Sequence, residues 1–211
     1  MLLRPLRRAT RMHPLWVTLS QLGDSRWLLP LSLVLILFGP KQSRALRIRW
    51  AVGLAVAGGL TLASKLAFLG WGFGLARLDF TGFSGHATMT AAVYPVALYL
   101  ATHGRLRNPL PIALLGSLLA AAIAYSRLPL NAHSVSEVVS GWLLGTAATA
   151  FALSARREKW RTPLPILAFS LAIGAAIPLL MPTVRTHDLV MRIATELSGR
   201  EQVFNRHHFV R

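Results

Sequence analysis

Apolar residues run along this chain in long blocks, separated by short polar and basic segments. A helix crosses the hydrocarbon core of a bilayer with about 20 apolar residues, each rising 1.5 Å. Six stretches approach that length: from Trp27 (or from near Asp24) to Phe38, Trp50 to about Leu69, Gly85 to about Thr102, Pro109 to Ser126, Ser134 to Leu153, and Pro163 to Met181. Their ends are punctuated. Gly39-Pro40 stops the first, and Pro129 breaks the chain after the fourth. Pro109 and Pro163 open the fourth and sixth, where a missing amide proton costs little. The pattern predicts an all-α, polytopic transmembrane bundle of about six helices, forming one integral membrane domain over residues 1–211. Residues 1–23 form a basic start whose apolar stretch, Pro14 to Leu22, is short and interrupted by Thr18, Ser20 and Gln21. It is expected to lie on the membrane surface rather than to be a cleaved leader. Residues 185–211 form an amphiphilic tail.

Composition agrees with this picture and narrows it. Hydrophobic residues make up 54% and charged residues 14%, more apolar than a soluble core needs. The formal net charge of +16 would suggest nucleic acid in a soluble protein. Here the basic residues sit between apolar blocks and at the ends, so lipid headgroups are the expected partners and nucleic acid is not. One set of connections holds Lys41, Arg44, Arg47 and Arg49, then Arg105 and Arg107, then Arg156, Arg157, Lys159 and Arg161. The alternate set holds only Lys65, Arg77 and Arg127. The richer set is expected in the cytoplasm, which turns the other outward. The Arg- and Ala-rich composition suggests a bacterial inner membrane, with the poorer set facing the periplasm. The chain has no cysteine, which excludes a disulfide framework, a thiolate nucleophile and a cysteine-ligated metal.

The sparsely charged connections hold the reactive side chains. Lys65 ends the second apolar block; Arg77, Asp79 and Phe83-Ser84-Gly85-His86 precede the third; Ser126-Arg127 ends the fourth; Asn131, His133 and Glu137 open the fifth. Helix direction brings them to one depth on one side. Several cations and two histidines with few acids suit an anionic substrate, and ionisable groups at a membrane edge are usually functional. Ser84-Gly85-His86 at a helix start adds free amides and a positive dipole end, with a glycine that lets a ligand approach the backbone. His133 and Glu137 stand four apart on one helical face. The carboxylate can hold one imidazole nitrogen and leave the other as nucleophile, while His86, from another helix, can protonate a leaving oxygen.

These residues resemble the type 2 phosphatidic acid phosphatase (PAP2) superfamily. Ser126-Arg127, His133 and Glu137 are similar to its third motif, which ends in Asp; Phe83-Ser84-Gly85-His86 resembles its second motif, usually Pro-Ser-Gly-His; Lys65 resembles the lysine of its first. The resemblance covers roughly Lys65 to Glu137. It implies a helical membrane enzyme that needs no cofactor and no metal. It also implies His133 as nucleophile, Glu137 as its orienting acid, His86 as general acid, and Lys65, Ser84, Gly85, Ser126 and Arg127 as phosphate-binding groups. The sequence departs from the family at three places. Gly72-Phe73 stands where the first motif has arginine-proline, Glu137 replaces Asp, and Phe83 replaces proline. Arg77 arrives later than the missing arginine and is the candidate replacement for phosphate binding. The implied activity is hydrolysis of a lipid phosphate or diphosphate through a phosphohistidine; the alternative is a non-catalytic lipid-phosphate-binding or transport protein on the same scaffold.

Blander roles compete with these. Ser134-x-x-Glu137 is a capping-box pattern, so Glu137 could serve only the helix. Asp79 is expected to pair with Arg77 or Arg127, and His103 to be a solvated loop residue on the opposite side. His187, His207 and His208 fall in the tail, and Trp16, Trp27, Trp50, Trp71 and Trp160 near interfaces.

Overall fold

The structure, a computed structural model, describes residues 14–156, 160–181 and 186–206. Arg157, Lys159, Arg185, His207, His208 and the arginines of the first thirteen residues, all weighed above, lie outside the described residues. The described chain forms α1 (Pro14–Gln21), α2 (Ser25–Phe38), α3 (Arg44–Trp71), α4 (Gly85–Thr102), α5 (Leu110–Ser126), α6 (Val135–Leu153), α7 (Leu164–Leu180) and α8 (Thr186–Ser198). Short 3-10 turns occupy Lys41–Ser43 and Ala76–Leu78. The expected all-α bundle is what forms, and the apolar blocks mark its long helices to within a few residues. The exception is α3, which begins at Arg44 because the basic segment before Trp50 is helical too.

The stretches Pro14–Phe38, Lys41–Trp71 and Val135–Leu153 are long and apolar enough to cross a membrane; Leu110–Ser126 and Leu164–Leu180 are apolar but shorter. Outward-facing leucine and valine side chains, among them Leu33, Val56, Leu118, Val139 and Leu143, give α2, α3, α5 and α6 apolar exteriors. A lipid-facing bundle requires such an exterior. Helix α4 is different. Its residues from Ala87 to Val93 are all buried, and it packs against α5 and α6 most extensively, then against α3 and α2. An interior helix needs small side chains more than hydropathy, and α4 is rich in Ala and Thr.

Glycines set how closely the helices approach. A Cβ on Gly145 would stand 2.2 Å from the Thr88 carbonyl oxygen, and one on Gly141 2.8 Å from that of Ser84. These two residues, one turn apart, let the backbone of α6 lie directly on α4. Gly116 does the same for α5, where a Cβ would come within 2.9 Å of Pro95 Cα. Trp50 is fully buried rather than interfacial, and its indole N–H donates to the Ala92 carbonyl at 2.8 Å, tying α3 to α4. His103 is also buried rather than solvated. It is stacked on Tyr99 and lies 4.1 Å, centroid to centroid, from Trp160, which is itself buried. The basic residues Lys41, Arg44, Arg105, Arg107, Arg156 and Arg161 follow or precede helix ends on one side of the bundle, and Lys65, Arg127 and His133 gather at the other. Helix α1 packs along α5, with Trp16 edge-on to Tyr125 at 5.6 Å.

The α4–α6 contact yields a test. Gly145→Leu should separate the two helices and lower the thermal midpoint in detergent by many degrees, or prevent folding. Gly58→Ala, with nothing within 4 Å of the added carbon, should hold or slightly raise the midpoint. A Gly145→Leu protein as stable as Gly58→Ala would show that this close approach does not hold the bundle.

Candidate active site

The site is built where α3, α4 and α6 end or begin at one side of the bundle. The segment between α5 and α6 folds back on itself: Ala132 N–H donates to the Arg127 carbonyl at 3.1 Å, and Asn131 adopts φ 51°, a left-handed conformation that asparagine tolerates. This return carries His133 inward beside the start of α6. Ser134 caps α6, accepting from the Glu137 amide at 3.4 Å, while the Glu137 carboxylate accepts from the Ser134 amide at 3.2 Å. The capping box therefore forms, and the same carboxylate oxygen also meets His133 Nδ1 at 2.7 Å. Capping and orienting are not alternatives here; one carboxylate does both.

Glu137 is fully buried. A buried carboxylate is stable only when its lone pairs are taken up, and here they are. Thr81 donates its amide to Oε1 at 2.7 Å and its hydroxyl to the same atom. Arg206, from the C-terminal segment, donates from Nη2 to Oε2. The backbone carbonyl of Glu137 accepts from the Ser84 amide at 3.1 Å, which fixes the start of α4 against the start of α6. Because an ionised carboxylate only accepts, the bond to His133 places that ring's proton on Nδ1 and leaves Nε2 unprotonated.

Beside this pair opens a cavity of about 690 Å³. Lys65, Gly85, His86, Arg127 and His133 line it, joined by Asp24, Thr81, His187 and Arg206. Phe68, Leu69, Val190, Met191 and Val203 supply an apolar wall between α3 and α8. Lys65 Nζ lies 3.8 Å from the point where a Gly85 side chain would begin, so the missing Cβ leaves the ammonium beside the first turn of α4. The first amides of that helix, at Gly85 and His86, have no carbonyl partner within the helix. Arg127 donates from Nη1 to Ser20 of α1, and its buried Nε has no partner among the described residues. Burial pushes the His133 imidazole below its ordinary pKa; the Glu137 bond opposes that shift, and the charges of Lys65 and Arg127 reinforce it. The balance of these effects favours the neutral form of the ring.

Not every residue singled out in the sequence reaches the cavity. Ser84 is fully buried, its hydroxyl capping α4 at the Ala87 amide and its own amide taken by Glu137. Ser126 is fully buried and donates to the Ile123 carbonyl at 2.6 Å. Both serine hydroxyls therefore bond to helix backbone, Ser84 as acceptor and Ser126 as donor, and neither residue lines the cavity. Arg77 lies exposed in the Ala76–Leu78 turn, outside the cavity wall. Asp79 pairs with Arg206 at 2.7 Å, not with Arg77 or Arg127.

The structure also adds residues that the sequence reading passed over. Thr81 is bound to Glu137 only through the folded 72–84 loop, and no local pattern marks it. Asp24, which caps α2 at the Arg26 amide and chelates the Arg26 guanidinium, reaches the cavity because α1 turns back beside α5. Arg206 lies beyond α8, in a stretch with no helical pattern to say where it lands. Among the described residues no group of three or more His, Asp and Glu side chains is placed to hold a metal ion.

The bundle presents a carboxylate-held histidine, a second histidine, a lysine and an arginine at one end. In comparison with known proteins, residues 27–161 match the PAP2 superfamily, and the chain belongs to it. Members of that superfamily are phosphatases acting on phosphate esters, which sets the chemical class of this chain. It is also 38% identical, over 204 residues, to an uncharacterized 22.5 kDa protein in the cps region of Klebsiella pneumoniae, a match covering 90% of this chain and 95% of that one. No solved structure matches.

The His133 environment can be read directly by NMR of histidine-labelled protein in detergent. Its ring should titrate below the ordinary imidazole value of about 6.5, and lower still in Glu137→Gln, which removes the charge that favours protonation. A His133 pKa above that value, or one that rises in Glu137→Gln, would contradict the burial and the bond described.

Proposed function

We propose that this protein is a metal-independent membrane phosphatase that hydrolyses the phosphate or diphosphate headgroup of a lipid through a phosphohistidine on His133. The observation that carries the reading is His133 held through Nδ1 by the buried Glu137 carboxylate, in a cavity shared with Lys65, Arg127 and His86. Nε2 attacks phosphorus, forming the N–P bond as the P–O bond to the lipid alcohol breaks. His86 gives its proton to the departing oxygen; the incoming phosphate's negative charge favours the protonated ring. Water then attacks phosphorus, His86 takes its proton, and the N–P bond breaks to free His133. Glu137 stays anionic throughout and stabilises the positive charge that the His133 ring carries while it is bonded to phosphorus. Lys65, Arg127 and the amides at Gly85 and His86 hold the phosphoryl oxygens.

The lipid part of the reading rests on the apolar wall. Phe68, Leu69, Val190, Met191 and Val203 line the same cavity as the charged groups, so an amphiphile can lay its chain along them while its phosphate meets Lys65 and Arg127. The distribution of Lys and Arg orients the molecule with this site facing out of a bacterial inner membrane, into the periplasm. Bilayer lipids are then both solvent and source of substrate.

Turnover of phosphatidic acid, phosphatidylglycerol phosphate and polyprenyl diphosphate by purified protein tests the chemistry. Wild type should release phosphate from at least one of them, unaffected by chelator and inhibited by vanadate. His133→Ala should be inactive, and Glu137→Gln should lose about 100-fold or more, whereas Glu137→Asp keeps part of the rate. No release from any of the three by folded wild type would favour the non-catalytic lipid-phosphate-binding alternative.

Orientation is tested separately, and the absence of native cysteine makes single-cysteine labelling clean. A cysteine at Ala76 should react with an impermeant reagent added outside spheroplasts, and one at Asn108 only after lysis. The reverse pattern would put the site in the cytoplasm.

A further inference from the structure

The C-terminal segment closes one side of the cavity, and the way it is fastened singles out Arg206. Helix α8 lies along α3 so closely that a Cβ on Gly70 would come within 3.3 Å of Ser198. After Gly199, at φ +65°, the chain turns back. Phe204 N–H then donates to the Leu69 carbonyl at 2.8 Å, and the Phe204 ring covers Gly72, approaching within 3.1 Å of where its side chain would start. Arg200 sits over the same ring, 4.4 Å from its centroid. Two residues beyond this anchor, the Arg206 guanidinium enters the cavity and divides its donors between Glu137 and Asp79.

We propose that Arg206 is a phosphoryl-binding residue, delivered to the site by the C-terminal segment and parked on Glu137 and Asp79 until an anion arrives. This inference rests on the phosphate-ester reading above and deepens it. Three facts support it. Gly72-Phe73 occupies the place where the resembling motif carries arginine, and Phe204 is docked on Gly72, so the tail reaches the site from the point where that guanidinium is missing. Arg77, the nearer arginine in sequence, is exposed and outside the cavity. Charge also counts. Lys65, Arg127 and Arg206 against Glu137 and Asp79 leave one positive charge in excess for an anionic headgroup, while Asp24 is neutralised by Arg26. Without Arg206 none would remain. A guanidinium has five donors in a planar fork, so it can hold phosphoryl oxygens while keeping Asp79 at the rim.

The experiment compares Arg206→Gln and Arg206→Lys with wild type and His133→Ala, all as full chains in detergent. It reads the dissociation constant for inorganic phosphate by calorimetry, and kcat and KM on the best lipid phosphate. Arg206→Gln should weaken phosphate binding and lower kcat/KM, each about 10- to 100-fold, with Arg206→Lys between. Asp79→Asn controls for a purely mechanical role: it removes the rim anchor but leaves the guanidinium, so its phosphate affinity should stay within about threefold of wild type. Phosphate affinity unchanged in Arg206→Gln, or lost equally in Asp79→Asn, would overturn the proposal. Phosphate bound through Arg206 by a wild type that hydrolyses none of the lipids would leave this inference standing and overturn the catalytic reading instead.

Discussion

Everything at this end of the molecule is organised around one buried negative charge. Glu137 has no exposed surface, and a lone carboxylate there would cost far more than any helix contact returns. Its two oxygens accept from His133, Ser134, Thr81 and Arg206, which belong to the loop before α6, the loop before α4 and the C-terminal segment. Removing one partner of such a buried pair typically destabilises by about 3–5 kcal/mol. The charge therefore collects segments that share no secondary structure and fixes them relative to one another. That same need fixes the histidine: a ring that must donate through Nδ1 to satisfy the carboxylate has no choice about which nitrogen it offers to the cavity.

This arrangement depends on backbones lying closer than ordinary side chains permit. Gly141 and Gly145 let α6 rest on α4, and only at that separation does the Ser84 amide reach the Glu137 carbonyl. The glycines of α6 are thus the condition for this backbone contact, not merely filler for a membrane interior. The helix they rest on, α4, is buried at every residue from Ala87 to Val93. Helices α2, α3, α5 and α6 pack around it and carry apolar exteriors.

Much of this could be read from the sequence, for physical reasons that differ between the parts. Long apolar blocks bounded by Gly and Pro report helices well, because bilayer thickness sets their length and nothing else produces such runs. His133 and Glu137 were legible because a spacing of four on a helix is itself a contact. What failed was mostly the reading of exposure and partners. Ser84 and Ser126 sit beside functional residues in sequence, but their hydroxyls satisfy helix ends, a demand that short polar side chains meet before any ligand does. His103 and Trp50 looked peripheral because each sits at the edge of an apolar block; the packing of Tyr99 and Trp160, and of Ala92, drew them inward. Thr81 and Arg206 carry no periodic signal at all, since their positions are set by loop closure and by the docking of Phe204.

The tail changes how the cavity should be understood. A phosphatase buried among transmembrane helices must exclude water from the reacting phosphorus while admitting a substrate that arrives from the bilayer, and a closed bundle does neither. Here α8 and the segment behind it form the apolar wall against α3 and also carry the outermost cation. On the proposed reading, substrate chain and phosphate would meet the same C-terminal segment, one on Val190 and Met191, the other on Arg206. On that reading, affinity for the tail of a lipid and charge for its headgroup would be coupled through the docking of Phe204 on Gly72. An arginine fixed within α3 could supply the charge but not that coupling, because it would stand in place whether or not the apolar wall had formed.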